Sequence, residues 1–202
     1  MAIIKKMILF SLLISCTYSA HAIGIIKSLS ACDSRFFEEI KHNQEFAMIP
    51  QNITIAELFS QSGINIPLQY TTKDGLELTH FIAIAIDLER YKEISNNRIG
   101  GRFYYWGFET SMPEQDVIQH LSQHIPLIEG AGYFVANSKM RNAISEPWQK
   151  NLTPVSGLIP VGDSAEKLFF IEANKENNTV KIMCTLQGNV EEKDLQAVGL
   201  IH

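Results

Sequence analysis

The sequence predicts an α+β fold: a mostly antiparallel sheet packed by three or four short helices. Two pairs of strand-like segments flank short turns, at Lys73-Asp74-Gly75 and at residues 174–178, and strands joined this closely pair as antiparallel hairpins. Helical apolar spacing occurs only in short stretches. The order strand–helix–strand occurs at residues 45–72 and again at 102–137, so we expect two βαβ-like lobes followed by a C-terminal hairpin.

The elements before residue 90 are assigned from apolar spacing and turn residues. A helix at residues 33–42 has Phe36, Phe37 and Ile40 on one side. The long strand of the first hairpin is apolar on both faces, which is typical of a strand in the middle of a sheet. The other elements expected here are a helix at 53–61 and strands at 45–49, 67–72 and 76–88.

A polar connector separates these elements from the second half of the chain. It ends in Gly100-Gly101, which predicts a lobe boundary near residues 95–101. Ser111-Met112-Pro113-Glu114 has the spacing of a capping box at the start of a helix that runs to about His124. Residues 138–166 are expected to be irregular, and 191–202 to be a short helix or a tail. The strands expected here are 102–109, 132–137, 168–173 and 179–187.

The first 22 residues have the three parts of a secretory signal. Lys5 and Lys6 precede an apolar stretch, and Ala20-His21-Ala22 is a small-residue cleavage site. The apolar stretch is too short to span a bilayer as a helix. We expect residues 23–202 to form a single exported domain that is periplasmic or secreted. Leu13-Ile14-Ser15-Cys16 resembles a lipobox, so the alternative is a lipoprotein anchored at Cys16.

The charge of the chain limits the classes of partner, and its cysteine content indicates the compartment. The net charge is −5, and losing the signal removes two of the 17 basic residues and none of the 22 acidic ones, which leaves −7. This acidity argues against nucleic-acid binding and favours a basic protein partner. Cys32 and Cys184 would remain in an oxidising compartment, where an even pair predicts a disulfide. The alternative is two separately buried thiols.

The strand at residues 102–109 holds the candidate binding residues. Its aromatic side chains alternate, with Tyr104, Trp106 and Phe108 on one face and Phe103 and Tyr105 on the other. Tyr104, Trp106 and Phe108 form a binding platform if they are exposed, and belong to the core if a helix covers them. The pattern favours the core interpretation.

No residue set in the sequence predicts catalysis or a cofactor. His120 and His124 have helical spacing for a metal, but the spacing provides no third ligand, and a solvated polar face is favoured. Gly162-Asp163-Ser164 lies too late in the chain for the lipase and esterase family that begins with this motif. We therefore expect a non-enzymatic envelope protein that binds another protein, as an inhibitor, immunity protein or assembly factor does. The alternative is a periplasmic hydrolase whose site is scattered in sequence.

Overall fold

An eight-stranded antiparallel sheet forms the centre of the protein in a computed structural model that describes residues 24–89, 101–154, 160 and 162–202. Five helices accompany the sheet in this part of the chain, so the predicted α+β class, a mostly antiparallel sheet with short helices, is confirmed. The helices are α1 (Gly24–Ser30), α2 (Arg35–His42), α3 (Ile55–Leu58), α4 (Glu114–Ser122) and α5 (Glu192–Ala197). The strands are β1 (Ile64–Thr71), β2 (Glu77–Asp87), β3 (Arg102–Thr110), β4 (Ile128–Glu129), β5 (Tyr133–Arg141), β6 (Gln149–Lys150), β7 (Ala165–Asn174) and β8 (Thr179–Gly188).

The sheet order is β1-β2-β3-β8-β7-β5-β4, and β6 pairs with β5. Both predicted hairpins are present, as β1 with β2 and β7 with β8. The second hairpin enters the sheet between β3 and β5, so that β3 pairs along its whole length with β8. This long-range pairing joins the two halves of the chain into one sheet.

One face of the sheet, which we call the inner face, packs against helices. Phe81 of β2, Phe108 of β3 and Ile182 of β8 lie side by side on it, because their Cα atoms are register partners. From α2, the ring of Phe36 packs edge-on against Phe108, with centroids 5.6 Å apart. Phe46 approaches Phe108 to 5.7 Å. The main hydrophobic core therefore lies between the inner face and the N-terminal helices.

Cys32 and Cys184 lie at disulfide-bonding distance, with their Cα atoms 5.6 Å apart. Cys184 points to the inner face, as the alternation of β8 predicts. Cys32 lies two residues after the end of α1 and is buried. The pair joins the N-terminal helices to a central strand across a sequence separation of 152 residues.

We expect Cys184→Ser to lower the free energy of unfolding by about 2–5 kcal/mol, since a cross-link over so long a loop restricts the unfolded chain. Urea denaturation of the variant and the wild type measures this loss. Reducing the wild type should give a similar loss, because both treatments remove the same bond. Two free thiols in the unfolded, unreduced wild type would contradict the prediction.

Several local expectations are corrected. Residues 44–46 form a 3₁₀ helix in place of a strand at 45–49, since Asn43 Oδ1 accepts the Glu45 N–H and the turn directs Phe46 into the core. The capping box predicted at Ser111 is absent from α4: Pro113 is its N-cap and makes no side-chain bond. Thr110 Oγ1 accepts the Met112 N–H just before it. Residues 138–166 contain more strand than expected.

Some expectations concern residues outside the described part of the chain. These are the signal at residues 1–22, the alternative anchor at Cys16, the start of the exported domain at Ile23, and most of the lobe boundary near 95–101. Among the helices of the described residues, none has the length and apolar character needed to cross a membrane.

Candidate functional site

A cavity of about 550 Å³ lies on the face of the sheet opposite the N-terminal helices, which we call the outer face. Five strands contribute to it: β2, β3, β5, β7 and β8. The volume is in the range of small-ligand and side-chain pockets. The apolar and aromatic residues that dominate its lining include Ile82, Ile84, Ile86, Tyr105, Phe170 and Met183.

Strand alternation places these residues on the outer face. In β2, Phe81, Ala83 and Ala85 point inward, so the isoleucines between them point outward. Cross-strand register then continues the row, because Ile84 is opposite Tyr105 and Tyr105 is opposite Thr185. The cavity is thus a direct product of a sheet with apolar residues on both faces.

Aromatic packing fixes the position of Tyr105. Its ring stacks on Phe103 at 6.4 Å and meets the edge of Phe170 at 6.0 Å. Burial raises the pKa of the Tyr105 hydroxyl, and the carboxylate of Glu172 raises it further, while the nearby Thr185 hydroxyl has the opposite effect. The phenol therefore stays protonated at neutral pH and can donate a hydrogen bond.

Two further polar residues of the lining differ in their hydrogen bonding. Thr185 is 4% exposed, and its Oγ1 has no hydrogen-bond partner among the residues that the structure describes. Glu166 is also buried, but its carboxylate accepts hydrogen bonds from Ser138, Asn151 and Gln187 at 2.8, 2.6 and 2.8 Å. Glu166 consequently holds β5, β7, β8 and the segment after β6 together.

The candidate binding residues from the sequence lie elsewhere. Tyr104, Trp106 and Phe108 are on the inner face, 1%, 0% and 0% exposed, and so belong to the core. Of the other aromatic set, Tyr105 lines the cavity and Phe103 stacks on it. Alternation in the sequence separated the two sets correctly, but it could not show which set the helices would cover.

The two candidate metal ligands do not converge. Helix α4 ends at Ser122, so His124 lies in the following turn, whereas His120 lies beside Gly75 of the first hairpin. Within the described ranges, no group of three or more His, Cys, Asp or Glu side chains is placed to hold a metal ion. The Gly162-Asp163-Ser164 segment leads into β7, and Ser164 O accepts the Asn189 N–H.

No protein-family model matches this chain, and neither a curated protein nor a solved structure is significantly similar to it. Functional inference therefore depends on the geometry of the chain itself. An apolar cavity with the Tyr105 hydroxyl in its lining is suited to enclosing apolar groups and fixing their orientation by a hydrogen bond.

Proposed function

We propose that this protein is a binding protein without catalytic turnover, and that its outer-face cavity takes apolar side chains of a basic protein partner outside the cytoplasm. The observation that carries the proposal is the cavity of about 550 Å³ together with the partial exposure of its apolar walls. Ile86 is 44% exposed, and Ile82 and Ile84 are only partly buried. Contiguous exposed apolar side chains of this kind mark interaction surfaces.

A protein partner suits this geometry better than a small molecule does. Small-molecule sites usually enclose about 70–90% of their ligand, whereas this cavity is open on the side of Ile86, which is exposed, and would leave that side of a small ligand in solvent. Charged residues, Glu172 and Lys181, border the apolar centre. An apolar centre with a polar rim is the usual composition of a protein interface.

Charge supports a basic partner. The chain has a net charge of −5, and −7 if two basic residues are removed with a signal. A field of this sign attracts a basic protein and accelerates its association, and salt reduces the effect. The cysteine pair supports the proposed compartment, because disulfides persist in oxidising environments such as the periplasm and the extracellular medium.

A panel of short random peptides displayed on phage tests this function. We expect the protein to select peptides that combine apolar residues with Lys or Arg, with association that slows as salt rises. Ile84→Glu should weaken their binding by about 2 kcal/mol or more, because it places a charge in the apolar centre. Leu152→Glu is the matched control, since Leu152 is 83% exposed and is not among the residues lining the cavity.

Two results would contradict the proposal. Selected peptides that bind the Ile84→Glu variant as well as they bind the wild type would place the interface away from the cavity. Hydrolysis of an ester or peptide substrate that is abolished by changing one polar side chain would favour the alternative of a hydrolase with a scattered site.

A further inference from the structure

A second concave region, on the inner side near the edge of the sheet, has an unusual charge. It is a groove of about 660 Å³ between α1, the segment after α4, and strands β5 and β6. Its described lining contains four formal cations, Lys27, Arg35, Lys139 and Lys150, and one carboxylate, Asp33, which gives a formal charge of +3. The whole chain has a net charge of −5. The groove is therefore strongly basic in an acidic protein.

Cross-strand register places a row of three lysines on the inner side of the sheet, and two of them, Lys139 and Lys150, line this groove. The Cα atom of Lys139 in β5 is the partner of Lys150 in β6 on one side and of Lys167 in β7 on the other. Neighbouring strands lie only about 4.8 Å apart. Like charges directly opposite each other destabilise a sheet, so the stability of the fold does not explain this arrangement.

A β-bulge produces the lysine row. The register between β5 and β7 shifts between Ala136 and Lys139, where β5 contains one extra residue. Without this residue, strict alternation would direct Lys139 to the face opposite Ala136. The bulge instead directs Lys139 to the inner side beside Lys167. Bulges commonly redirect a side chain next to a functional site.

The nearby carboxylate is already occupied. Arg35 binds Asp33 through two nitrogens, with Nη2 at 2.7 Å from Oδ2 and Nε at 2.9 Å from Oδ1. In the described part of the chain, neither Lys139 nor Lys150 lies within ion-pair distance of a carboxylate.

Lys167 has an aromatic contact in place of an ion pair. Its Nζ lies 5.1 Å from the ring centroid of Trp148. Burial lowers the pKa of Lys167 and the Lys139 ammonium lowers it further, while Asp33 acts in the opposite direction. The lysine row is thus short of negative charge.

We propose that this groove binds a phosphate group, with Lys139 and Lys150 as its principal ligands and Lys27 and Arg35 at its margin. Lysine ammonium groups bind phosphate as point charges, and a doubly charged anion between adjacent strands would neutralise the repulsion within the row. The site is independent of the proposed function, because Lys139 lies on the inner side of the sheet and none of the four cationic side chains of the groove lines the outer-face cavity.

Isothermal titration with pyrophosphate at low ionic strength tests the site. We expect measurable binding that weakens as salt is added. The double variant Lys139→Ala/Lys150→Ala should bind about tenfold or more weakly. The matched control is Lys73→Ala/Lys175→Ala, which removes the same charge from two hairpin turns and should bind nearly as the wild type does.

The Lys139→Ala variant should melt at the same temperature as the wild type or higher, because it relieves repulsion between the lysines.

Vesicles of phosphatidylglycerol in phosphatidylcholine distinguish the source of the phosphate. Co-sedimentation that pyrophosphate abolishes would place the phosphate on a lipid headgroup, and pyrophosphate binding without co-sedimentation would place it on a free ligand. Absence of pyrophosphate binding, or equal weakening in the control variant, would overturn the proposal. Selected peptides that bind the Ile84→Glu variant as well as the wild type would contradict the cavity proposal and leave the pyrophosphate result unaffected, so the two proposals fail separately.

Discussion

Asp194→Ala is expected to lower the free energy of unfolding by about 3–5 kcal/mol, because it leaves the charge of Arg141 buried without its carboxylate. The two side chains are 7% and 3% exposed and form a two-point ion pair, with both N–O distances at 2.7 Å. Asp194 also accepts the Glu191 N–H at the start of α5, so the variant loses a helix cap as well. Urea denaturation measures the change.

Two variants separate the buried charge from other causes. Arg141→Met/Asp194→Leu replaces the whole pair with apolar side chains and should cost much less than the single change, since no charge is then left buried. Asp33→Ala breaks the ion pair with Arg35 near the surface, where the Arg35 side chain is 71% exposed and that of Asp33 is 33% exposed. This change should lower the free energy of unfolding by about 1 kcal/mol or less. A single Asp194→Ala variant with wild-type stability would show that Arg141 finds another partner or becomes hydrated.

Local signals in the sequence predicted the class and the hairpins well. The turn at Lys73-Asp74-Gly75 and the strict alternation of β8 are properties of neighbouring residues, and both have their expected outcome. The strand predicted at residues 45–49 was wrong, and the cause is again a local one. The side chain of Asn43 forms a local turn that competes with a strand, and the apolar pattern does not register it.

The candidate sites depend on pairings that the sequence pattern does not contain. The outer-face cavity requires β3 to pair with β8, and residues such as Tyr105 and Thr185 are 80 positions apart in the chain. The sequence showed that β2 is apolar on both faces, but alternation cannot show which of the two faces the helices cover. Lys139 was hidden by the bulge, since one extra residue reverses the face of every residue after it. Long-range register and irregularities in it therefore decide where the candidate sites lie.

A substitution at Trp106 tests which face of β3 belongs to the hydrophobic core. The side chain is 0% exposed on the inner face, and its Cα atom is the partner of Ala83 and of Cys184 in the two neighbouring strands. The ring lies 6.5 Å from that of Phe37 in α2. We expect Trp106→Ala to lower the free energy of unfolding by about 3–5 kcal/mol, since it leaves a large cavity in the centre of the sheet.

The matched control for this prediction is Trp106→Phe, which keeps an aromatic ring and removes Nε1. That nitrogen is buried and has no hydrogen-bond partner among the described residues. A buried donor without a partner costs about 1–3 kcal/mol, so its loss should offset much of the smaller ring's packing deficit. Urea midpoints should therefore fall steeply for Trp106→Ala and only slightly for Trp106→Phe, while selected peptides still bind both folded variants. If Trp106→Ala kept wild-type stability and lost the peptides, the interface would lie on the Tyr104, Trp106 and Phe108 side of the strand, and the helices would have to move away from it for binding.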